Sequence, residues 1–265
     1  MFTLATRAIK AAIADAGLRL GDIDGLATFG TNDSVAPNVL AQALGMQSMS
    51  WYVDQFYGGS VSLSILGQAS LAVSAGVADC VVCYRALNGR SEMRLNGSAM
   101  STGRLPWDIA AKLPAGIIAP SQEIALAARS HMERFGTTSE DLGHIALLSR
   151  HNALDNERAM MRKPLTMDDY LASRWIVEPF RKFDCCLETD GAVAVVVVSA
   201  ERAKDLPHRP VTVRGAAWGG GVNVVNNGHT DLSESPAKLI APRLYAADGL
   251  GPDEQQRHDR AHPVL

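Results

Sequence analysis

Cysteine is scarce in this sequence, with only four among 265 residues. Four thiols are too few for the disulfide framework of a small secreted protein, so the fold must rely on a hydrophobic core. Cys80 and Cys83 form a C-x-x-C pattern, but the surrounding ADCVVCYRA is typical of a strand. Residues three apart in a strand point to opposite faces, which excludes a shared zinc ion or a redox pair. We predict structural thiols, including the adjacent Cys185 and Cys186.

Long apolar runs and an excess of charge of one sign are also missing. The longest apolar run, GAVAVVVV, falls well short of the roughly 18 to 20 residues of a membrane-spanning helix. There are 25 lysines and arginines against 28 aspartates and glutamates, which excludes the strongly basic surface of many nucleic-acid-binding domains. The start of the chain reads as an amphipathic helix and lacks a signal-peptide cleavage pattern. We therefore expect a cytoplasmic protein.

Familiar ligand-binding loops are absent as well. The glycines of WGGGVN are not followed by the Gly-Lys-Ser/Thr of a P-loop. The stretch GGSVSLS lacks the G-x-S-x-G pattern of a serine hydrolase.

His131 and His144 lie on predicted helices and are expected at the surface. No metal site and no separate cofactor are predicted.

What the sequence does contain is an alternation of helices and strands. Gly17 and Gly45 each follow a helical pattern, as left-handed helix caps do, and Pro37 lies in a first turn. The first predicted elements, in chain order, are a helix (3–16), a strand (23–30), a helix (35–46), a strand (49–56), a helix (59–75) and a strand (79–86). The helix at 59–75 is rich in small residues, so we place it at the centre of the fold.

The middle of the chain, over residues 87–120, has three prolines and little periodicity, which predicts a long surface excursion. The elements predicted after it are helices (120–136, 138–156 and 166–173), an extended segment (174–186), a strand with apolar residues on both faces (190–200), a short helix (199–206) and a strand beginning at 210. Together these patterns predict an α/β fold with a layered core.

Four stretches of the sequence carry a resemblance to a known family. They are VDQFYGGS, CYRALNGRSEMR, EPFRKFDCCLETDGAVAVVVVSAERA and SPAKLIAPRLYAADGLGPDE. In these stretches the chain resembles the thiolase superfamily, in particular the lipid-transfer-protein, sterol-carrier-type group that includes steroid side-chain aldolases. The resemblance implies a duplicated, layered αβαβα fold whose first half carries an inserted helical loop domain.

The resemblance also implies a domain organisation. Residues 1–86 and 176–208 would form the N-terminal thiolase-like half, and 87–175 the inserted loop domain. Residues 209–253 would begin the C-terminal half, and 254–265 would be a tail. We expect a member truncated at both ends, with an incomplete second half, or one whose site another polypeptide completes.

Tyr57 is the candidate catalytic residue. Thiolases that form an acyl-enzyme carry a V-N-x-x-C pattern at a strand-to-helix turn, and the resemblance places that cysteine on Tyr57 of VDQFYGG. A phenol has a pKa of about 10 and a thiol about 8.5, so tyrosine is a poor acyl carrier at neutral pH. Tyrosine can serve as an acid or base in retro-aldol cleavage of a β-hydroxyacyl-CoA. The alternative is a packed core tyrosine with a hydrogen-bonded hydroxyl.

The candidate substrate-binding residues are Gly58, Gly59, Arg90, Arg94 and His229. The glycines follow Tyr57 and would let backbone N–H groups approach a substrate oxygen, or would only permit a tight turn. The arginines lie in a locally basic segment and suit a phosphate of coenzyme A, or a solvated loop surface. His229 follows a glycine-rich loop and suits a pocket rim or a structural role.

The activity that the resemblance implies is retro-aldol C–C cleavage of a β-hydroxyacyl-CoA with a sterol or lipid tail. Alternatives are an acyltransferase of the acetyl-CoA acetyltransferase type and a non-catalytic subunit that binds acyl-CoA or supports assembly. Coenzyme A would enter only as part of the substrate. The partners implied are the acyl-CoA substrate, a second copy in a homodimer and a small OB-fold, acyl-CoA-associated protein, with no nucleic acid and no membrane span.

Overall fold

The structure, a computed structural model, describes residues 1–30, 34–56, 61–92, 112–219 and 237–249, together with residues 232, 235 and 251. The chain divides into two compact units. Unit 1 comprises Met1–Arg94, Thr189–Gly219 and Leu239–Leu265, and unit 2 comprises Leu95–Glu188 and Gly220–Lys238. The domain boundaries implied by the family resemblance are a different division and stay a prediction.

In its described residues, unit 1 is built on a four-stranded sheet in the order β2-β1-β3-β6. Its elements are α1 (Phe2–Asp15), β1 (Gly25–Gly30), α2 (Pro37–Leu44), β2 (Trp51–Phe56), α3 (Ser64–Ser74), β3 (Cys80–Asn88), β6 (Asp190–Val198) and the short helix α7 (Ala200–Ala203). The central strand β1 runs parallel to both β2 and β3, whereas β6 pairs with β3 in antiparallel fashion. The order of helices and strands in this unit is the one that the sequence predicts up to β3. Gly17 and Gly45 adopt the predicted left-handed conformation after α1 and α2.

The sheet of unit 1 is covered differently on its two faces. One face, which includes Leu26 and Val82, packs against α1 and α2 through residues such as Ile9 and Leu40. The opposite face, which includes Val81, packs against α3. Burying one such aliphatic side chain stabilises the fold by about 1.5–3 kcal/mol. All six residues of β1 are buried, as expected of a strand with neighbours on both edges and helices on both faces.

Strand β6 has the predicted apolar residues on both of its faces, but the described residues cover only one face fully. Ala194 and Val196 pack against the core that α1 covers. Val193 and Val195 point the other way and are 63% and 44% exposed. The apolar pattern therefore predicted the strand, but it did not predict that Val193 and Val195 are exposed.

The small residues of helix α3 allow a neighbouring segment to pack closely against it. A Cβ atom on Gly67 would lie 2.7 Å from the Cβ of Ala216, far inside a normal contact distance. The segment carrying Ala216 was predicted to be a strand from residue 210 onward. That prediction is wrong for the described part, residues 210–219, which contain no strand. A strand requires a hydrogen-bonded neighbour, and the described residues provide none for this segment.

Unit 2 contains helices and a small hairpin. Its elements are α4 (Pro120–Phe135), α5 (Ser139–Leu154), α6 (Met167–Leu171), β4 (Trp175–Val177) and β5 (Phe180–Arg181). Thr138 caps α5 by accepting a hydrogen bond from the backbone N–H of Asp141. The prediction of one extended segment over 174–186 is wrong, because the chain reverses between β4 and β5 and turns again after Arg181. Pro179, which follows a cis peptide bond, sits in the reversal.

Helix α8 (Ala237–Asp248) follows, with Pro242 inside it. Among the residues that the structure describes, no helix is both long and apolar enough to cross a membrane.

Candidate active site

The carboxyl ends of β1, β2 and β3 meet at one edge of the sheet, because the three strands are parallel. We call this the carboxyl edge, and its strands end at Gly30, Phe56 and Asn88. Ligands of parallel α/β sheets bind at this edge, where the loops after the strands converge. Tyr57 directly follows β2 in the sequence, so the carboxyl edge is the candidate active site.

The candidate residues divide between described and undescribed parts of the chain. Tyr57, Gly58, Gly59, Arg94 and His229 lie outside the described residues, so their predicted roles stay predictions. The structure instead describes the strands and helices that flank these residues.

A hydrogen-bonded group of three side chains ties the end of β2 to the start of α3. The Oε1 atom of Gln55 accepts hydrogen bonds from the Ser64 hydroxyl at 2.7 Å and from the Gln68 amide at 2.8 Å. Ser64 is only 6% exposed, and its hydroxyl also lies 2.8 Å from the carbonyl oxygen of Val61. Gln55 precedes residues 57–60 in the sequence, and Ser64 and Gln68 follow them. Their hydrogen bonds therefore connect the end of β2 to the start of α3.

A second group fixes the chain after β1. Thr28, which is fully buried, donates its hydroxyl proton to the carbonyl oxygen of Tyr84 on β3 at 2.9 Å. The Tyr84 hydroxyl donates to the carbonyl oxygen of Val35, which precedes α2. Burial raises the pKa of Tyr84 far above its ordinary value, so its hydroxyl stays protonated and remains a donor. The segment that enters α2 is thereby attached to the interior of the sheet.

Arg85 places a fixed cation at the carboxyl edge. Its Nη1 atom donates to the carbonyl oxygen of Phe29 at 2.5 Å, and its guanidinium lies 4.7 Å from the centre of the Phe29 ring. The sequence analysis did not select Arg85 as a site residue. The signal that could have found it is an arginine near the end of an otherwise apolar strand, where burial demands a specific partner.

Arg90 is the one candidate substrate-binding residue that the structure describes, and its side chain is exposed. The backbone N–H groups of Arg90 and Ser91 both donate to Oδ1 of Asp190 at 3.0 Å. These backbone bonds, that of Ser91 first, lower the pKa of Asp190 below its usual value. Asp190, the first residue of β6, therefore stabilises the turn after β3.

The four cysteines are free, and two of them match their prediction. Cys80 and Cys83 are buried on opposite faces of β3, in the two separate cores. Burial raises the pKa of each thiol to about 12, so neither is a thiolate at neutral pH. Cys185 is half-buried and Cys186 is exposed, in the stretch 182–189 that forms no strand, so the structural role predicted for these two stays a prediction. No group of three or more His, Cys, Asp or Glu side chains in the described ranges could hold a metal ion.

Comparison with known proteins gives relatives along almost the whole chain. The chain is 41% identical over 260 residues to the steroid side-chain-cleaving aldolase of Thermomonospora curvata, which covers 95% of this chain and 66% of that protein. It is 40% identical over 265 residues to the 17-hydroxy-3-oxo-4-pregnene-20-carboxyl-CoA lyase of Mycobacterium tuberculosis, which covers 96% of this chain and 68% of that protein. No protein-family model matches the chain.

A solved structure, the Ltp2–ChsH2(DUF35) aldolase, superposes on the chain with a TM-score of 0.85 at 40% identity, over 95% of this chain and 65% of the other. The chain thus spans about two thirds of the length of these relatives. An identity of 40% over nearly the whole chain, together with this superposition, shows that the chain belongs to the sterol-carrier-type, steroid side-chain aldolase-like group of the thiolase superfamily and has the predicted thiolase-like α/β fold.

Proposed function

We propose that the protein takes part in retro-aldol C–C cleavage of a β-hydroxyacyl-CoA thioester with a steroid or similar lipid tail. The observation that carries this proposal is the 40–41% identity, over 95% or more of this chain, to two proteins named for such reactions. The absence of a thiol at Tyr57, where thiolases that form an acyl-enzyme carry cysteine, supports a reaction without a covalent acyl group.

The proposed reaction balances without an oxidant, a reductant or a separate cofactor. A base removes the proton of the β-hydroxyl group, and the O–H electron pair becomes the second bond of a new ketone. The bond between the α and β carbons breaks, and its electrons enter the thioester as an enolate. Protonation of the α carbon then releases a shortened acyl-CoA. The site must therefore supply a proton acceptor, a proton donor and stabilisation of a negatively charged oxygen.

The predicted residues fit these three needs. Tyr57 is proposed to exchange protons with the substrate, and the N–H groups near Gly58 and Gly59 to stabilise the enolate oxygen. Arg90 and Arg94 are proposed to contact phosphates of coenzyme A, and His229 to line the pocket. The exposed side chain of Arg90, on a turn whose backbone Asp190 holds, is consistent with a surface contact of this kind.

We also propose two protein partners. A solved relative is named as an Ltp2–ChsH2(DUF35) aldolase, which supports association of this chain with a second, small polypeptide of the predicted OB-fold type. Homodimerisation is supported by β2, an edge strand among the described elements, on which Tyr52 and Phe56 are each 59% exposed. Exposed edges with large apolar side chains favour pairing with another chain.

Turnover with a defined substrate tests the proposed function. The purified chain, alone and mixed with a candidate OB-fold partner, is incubated with a steroid β-hydroxyacyl-CoA, and products are followed by mass spectrometry. We expect a steroid ketone and a shortened acyl-CoA in equal amounts, with no acyl group on the protein. Unchanged substrate under both conditions, from protein that unfolds cooperatively on heating, would contradict the proposal. An acyl adduct on the chain would favour an acyltransferase instead.

A further inference from the structure

Two adjacent cysteines, Cys185 and Cys186, lie in the stretch between the β4–β5 hairpin and β6. This stretch forms no strand, so the alternation that points neighbouring side chains to opposite faces does not apply to it. Residues 182–184 form a turn, and the chain bends at Cys185. Cys185 is half-buried and Cys186 is exposed. The two thiols are therefore joined by one peptide unit but differ in their access to solvent.

The residue before the pair is anchored to the fold. The hydroxyl of Tyr170, a fully buried residue, donates to the Asp184 carboxylate, with both oxygens at 2.9 Å. The backbone N–H of Arg181 donates to Oδ2 of Asp184 at 2.6 Å, and the N–H of Asp184 donates to the carbonyl oxygen of Arg181 at 3.1 Å. The two cysteines thus directly follow a residue whose backbone and side chain are both held.

The surroundings give the two thiols different roles. Burial raises the pKa of Cys185, and the charges of Asp184 and of Cys186 raise it further. Because the Coulomb interaction falls off with distance, the influence of Cys186 on Cys185 agrees with sulfur atoms that lie near each other. Cys185 is therefore protonated at neutral pH, whereas the exposed Cys186 is the thiol that a dissolved reagent meets first.

The other two thiols lack this arrangement. Cys80 and Cys83 are buried on opposite faces of β3, in two separate cores. They can reach neither each other nor a dissolved reagent while the sheet is folded. They therefore serve as an internal reference for the reactivity of the adjacent pair.

We propose that Cys185 and Cys186 form a site of reversible two-electron oxidation by a peroxide, in which Cys186 reacts first and Cys185 closes a disulfide within the chain. The Cys186 thiolate attacks one oxygen of hydrogen peroxide, the O–O bond breaks, and hydroxide leaves a sulfenic acid. The Cys185 sulfur then attacks the sulfenic sulfur and loses its proton, and the S–O bond breaks as a second hydroxide leaves. Two thiols and one peroxide thus give one disulfide and two waters.

The geometry of adjacent residues makes such a bond easy to reverse. Their Cα atoms lie about 3.8 Å apart across a trans peptide, closer than the roughly 4.4–6.8 Å of ordinary disulfides. Strained and exposed disulfides are reduced more readily than relaxed, buried ones. This site goes beyond the proposed function and does not depend on it.

Peptide mass spectrometry of the full chain after treatment with dilute hydrogen peroxide tests the proposal. Trypsin cleavage after Lys182 and Arg202 releases residues 183–202 with both thiols, whereas Cys80 and Cys83 lie in a peptide that ends at Arg85. We expect the peptide 183–202 to lose two hydrogen atoms and to regain them with dithiothreitol. The peptide with Cys80 and Cys83 should stay reduced in the folded protein.

Three variants assign the roles of the two thiols. Cys186→Ser should slow oxidation by about tenfold or more, because the exposed nucleophile is gone. Cys185→Ser should stop at the sulfenic acid on Cys186, which dimedone traps. Leu187→Ser, at an exposed position of the same stretch, is the matched control and should form the disulfide at the wild-type rate. Cooperative thermal unfolding checks that each variant is folded.

A second probe needs no variant. Phenylarsine oxide binds two neighbouring thiols with loss of one water, and one equivalent on the wild-type chain should protect the peptide 183–202 from peroxide. Failure of the arsenical to bind the folded wild-type protein would overturn the proposal. So would a disulfide that joins two chains, separate sulfenic acids on both cysteines, or oxidation of Cys186→Ser at the wild-type rate. These readouts require no turnover, so they are independent of the proposed reaction.

Discussion

The hydroxyl of Ser64 donates a hydrogen bond to Gln55 across the gap between the end of β2 and the first residue of α3. Gln55 lies two residues before Tyr57, and its Oε1 atom accepts a second hydrogen bond from Gln68. The side chain thus acts on both flanks of the predicted catalytic turn. Its role is positional, because it holds the elements that carry the turn.

Gln55→Ala should lower the free energy of unfolding by about 1–2 kcal/mol, because the half-buried Gln68 amide loses its acceptor. Ser64 keeps the carbonyl of Val61 as an acceptor, which limits the cost. Urea unfolding followed by circular dichroism measures the change. Gln42→Ala, at an exposed position of α2, is the control and should stay within about 0.5 kcal/mol of wild type. Equal stability of the two variants would show that the Gln55 group contributes nothing.

Tyr57→Phe should reduce turnover of the β-hydroxyacyl-CoA by about 10²–10⁴-fold, because it removes the proposed proton-transfer group and keeps the ring. The KM should change little, since the hydroxyl acts on the reacting atoms and not on the nucleotide. Tyr52→Phe is the matched control, as an exposed tyrosine on β2, the strand that precedes Tyr57 in the sequence. A Tyr57→Phe variant with wild-type turnover would assign Tyr57 the alternative role of a packed aromatic residue.

Local patterns in the sequence were sufficient to predict most elements of unit 1. Strand β3 is apolar over residues 80–84, and helix α2 has Pro37 in its first turn and Gly45 after its end. These signals depend only on residues a few positions apart, so contacts with distant parts of the chain do not change them. The opposite orientation of Cys80 and Cys83 was likewise predictable, because the alternation of a strand fixes it.

Features that depend on distant partners were not predictable. The reversal at Glu178–Pro179 was read as one extended segment, since the residues on both sides favour β structure. Arg85 was passed over because its partner, Phe29, is 56 positions away. Arg150 and Phe183 are distant in the sequence, and only folding brings the guanidinium of Arg150 to within 5.5 Å of the Phe183 ring centre.

Alkylation with iodoacetamide at pH 8 should distinguish the thiols. Cys186 is exposed and should be labelled within minutes, whereas Cys80 and Cys83 should react only after denaturation. Burial is the main cause, because it raises both pKa values to about 12 and blocks the reagent. Peptide mass spectrometry with and without guanidinium chloride gives the extent at each site. Rapid labelling of Cys83 in the folded protein would contradict the described core.

The same thiols should make stability depend on alkaline pH. Their pKa is raised from 9.0 in the reference state to about 12 in the fold, so the folded state binds more protons than the unfolded state between these values. Their contribution is complete below pH 9 and is lost as the pH rises toward 12. Lysine and tyrosine titrate in the same window, so the comparison is with a Cys80→Ala/Cys83→Ala variant. The free energy of unfolding should fall more steeply with pH in wild type than in the variant, and parallel curves would contradict the shifts.

Gly67→Val should destabilise unit 1, because its Cβ would lie 2.7 Å from the Cβ of Ala216 and 3.3 Å from the ring of Trp218. Overpacking of this kind costs about 1–3 kcal/mol, as neighbouring groups must move. Chemical denaturation monitored by tryptophan fluorescence reports both the stability and the surroundings of Trp218. Gly21→Ala, where an added Cβ meets nothing within 4 Å, is the control and should change the free energy of unfolding by less than about 0.5 kcal/mol. A Gly67→Val variant as stable as wild type would mean that α3 and the 210–219 segment are not in the close contact described.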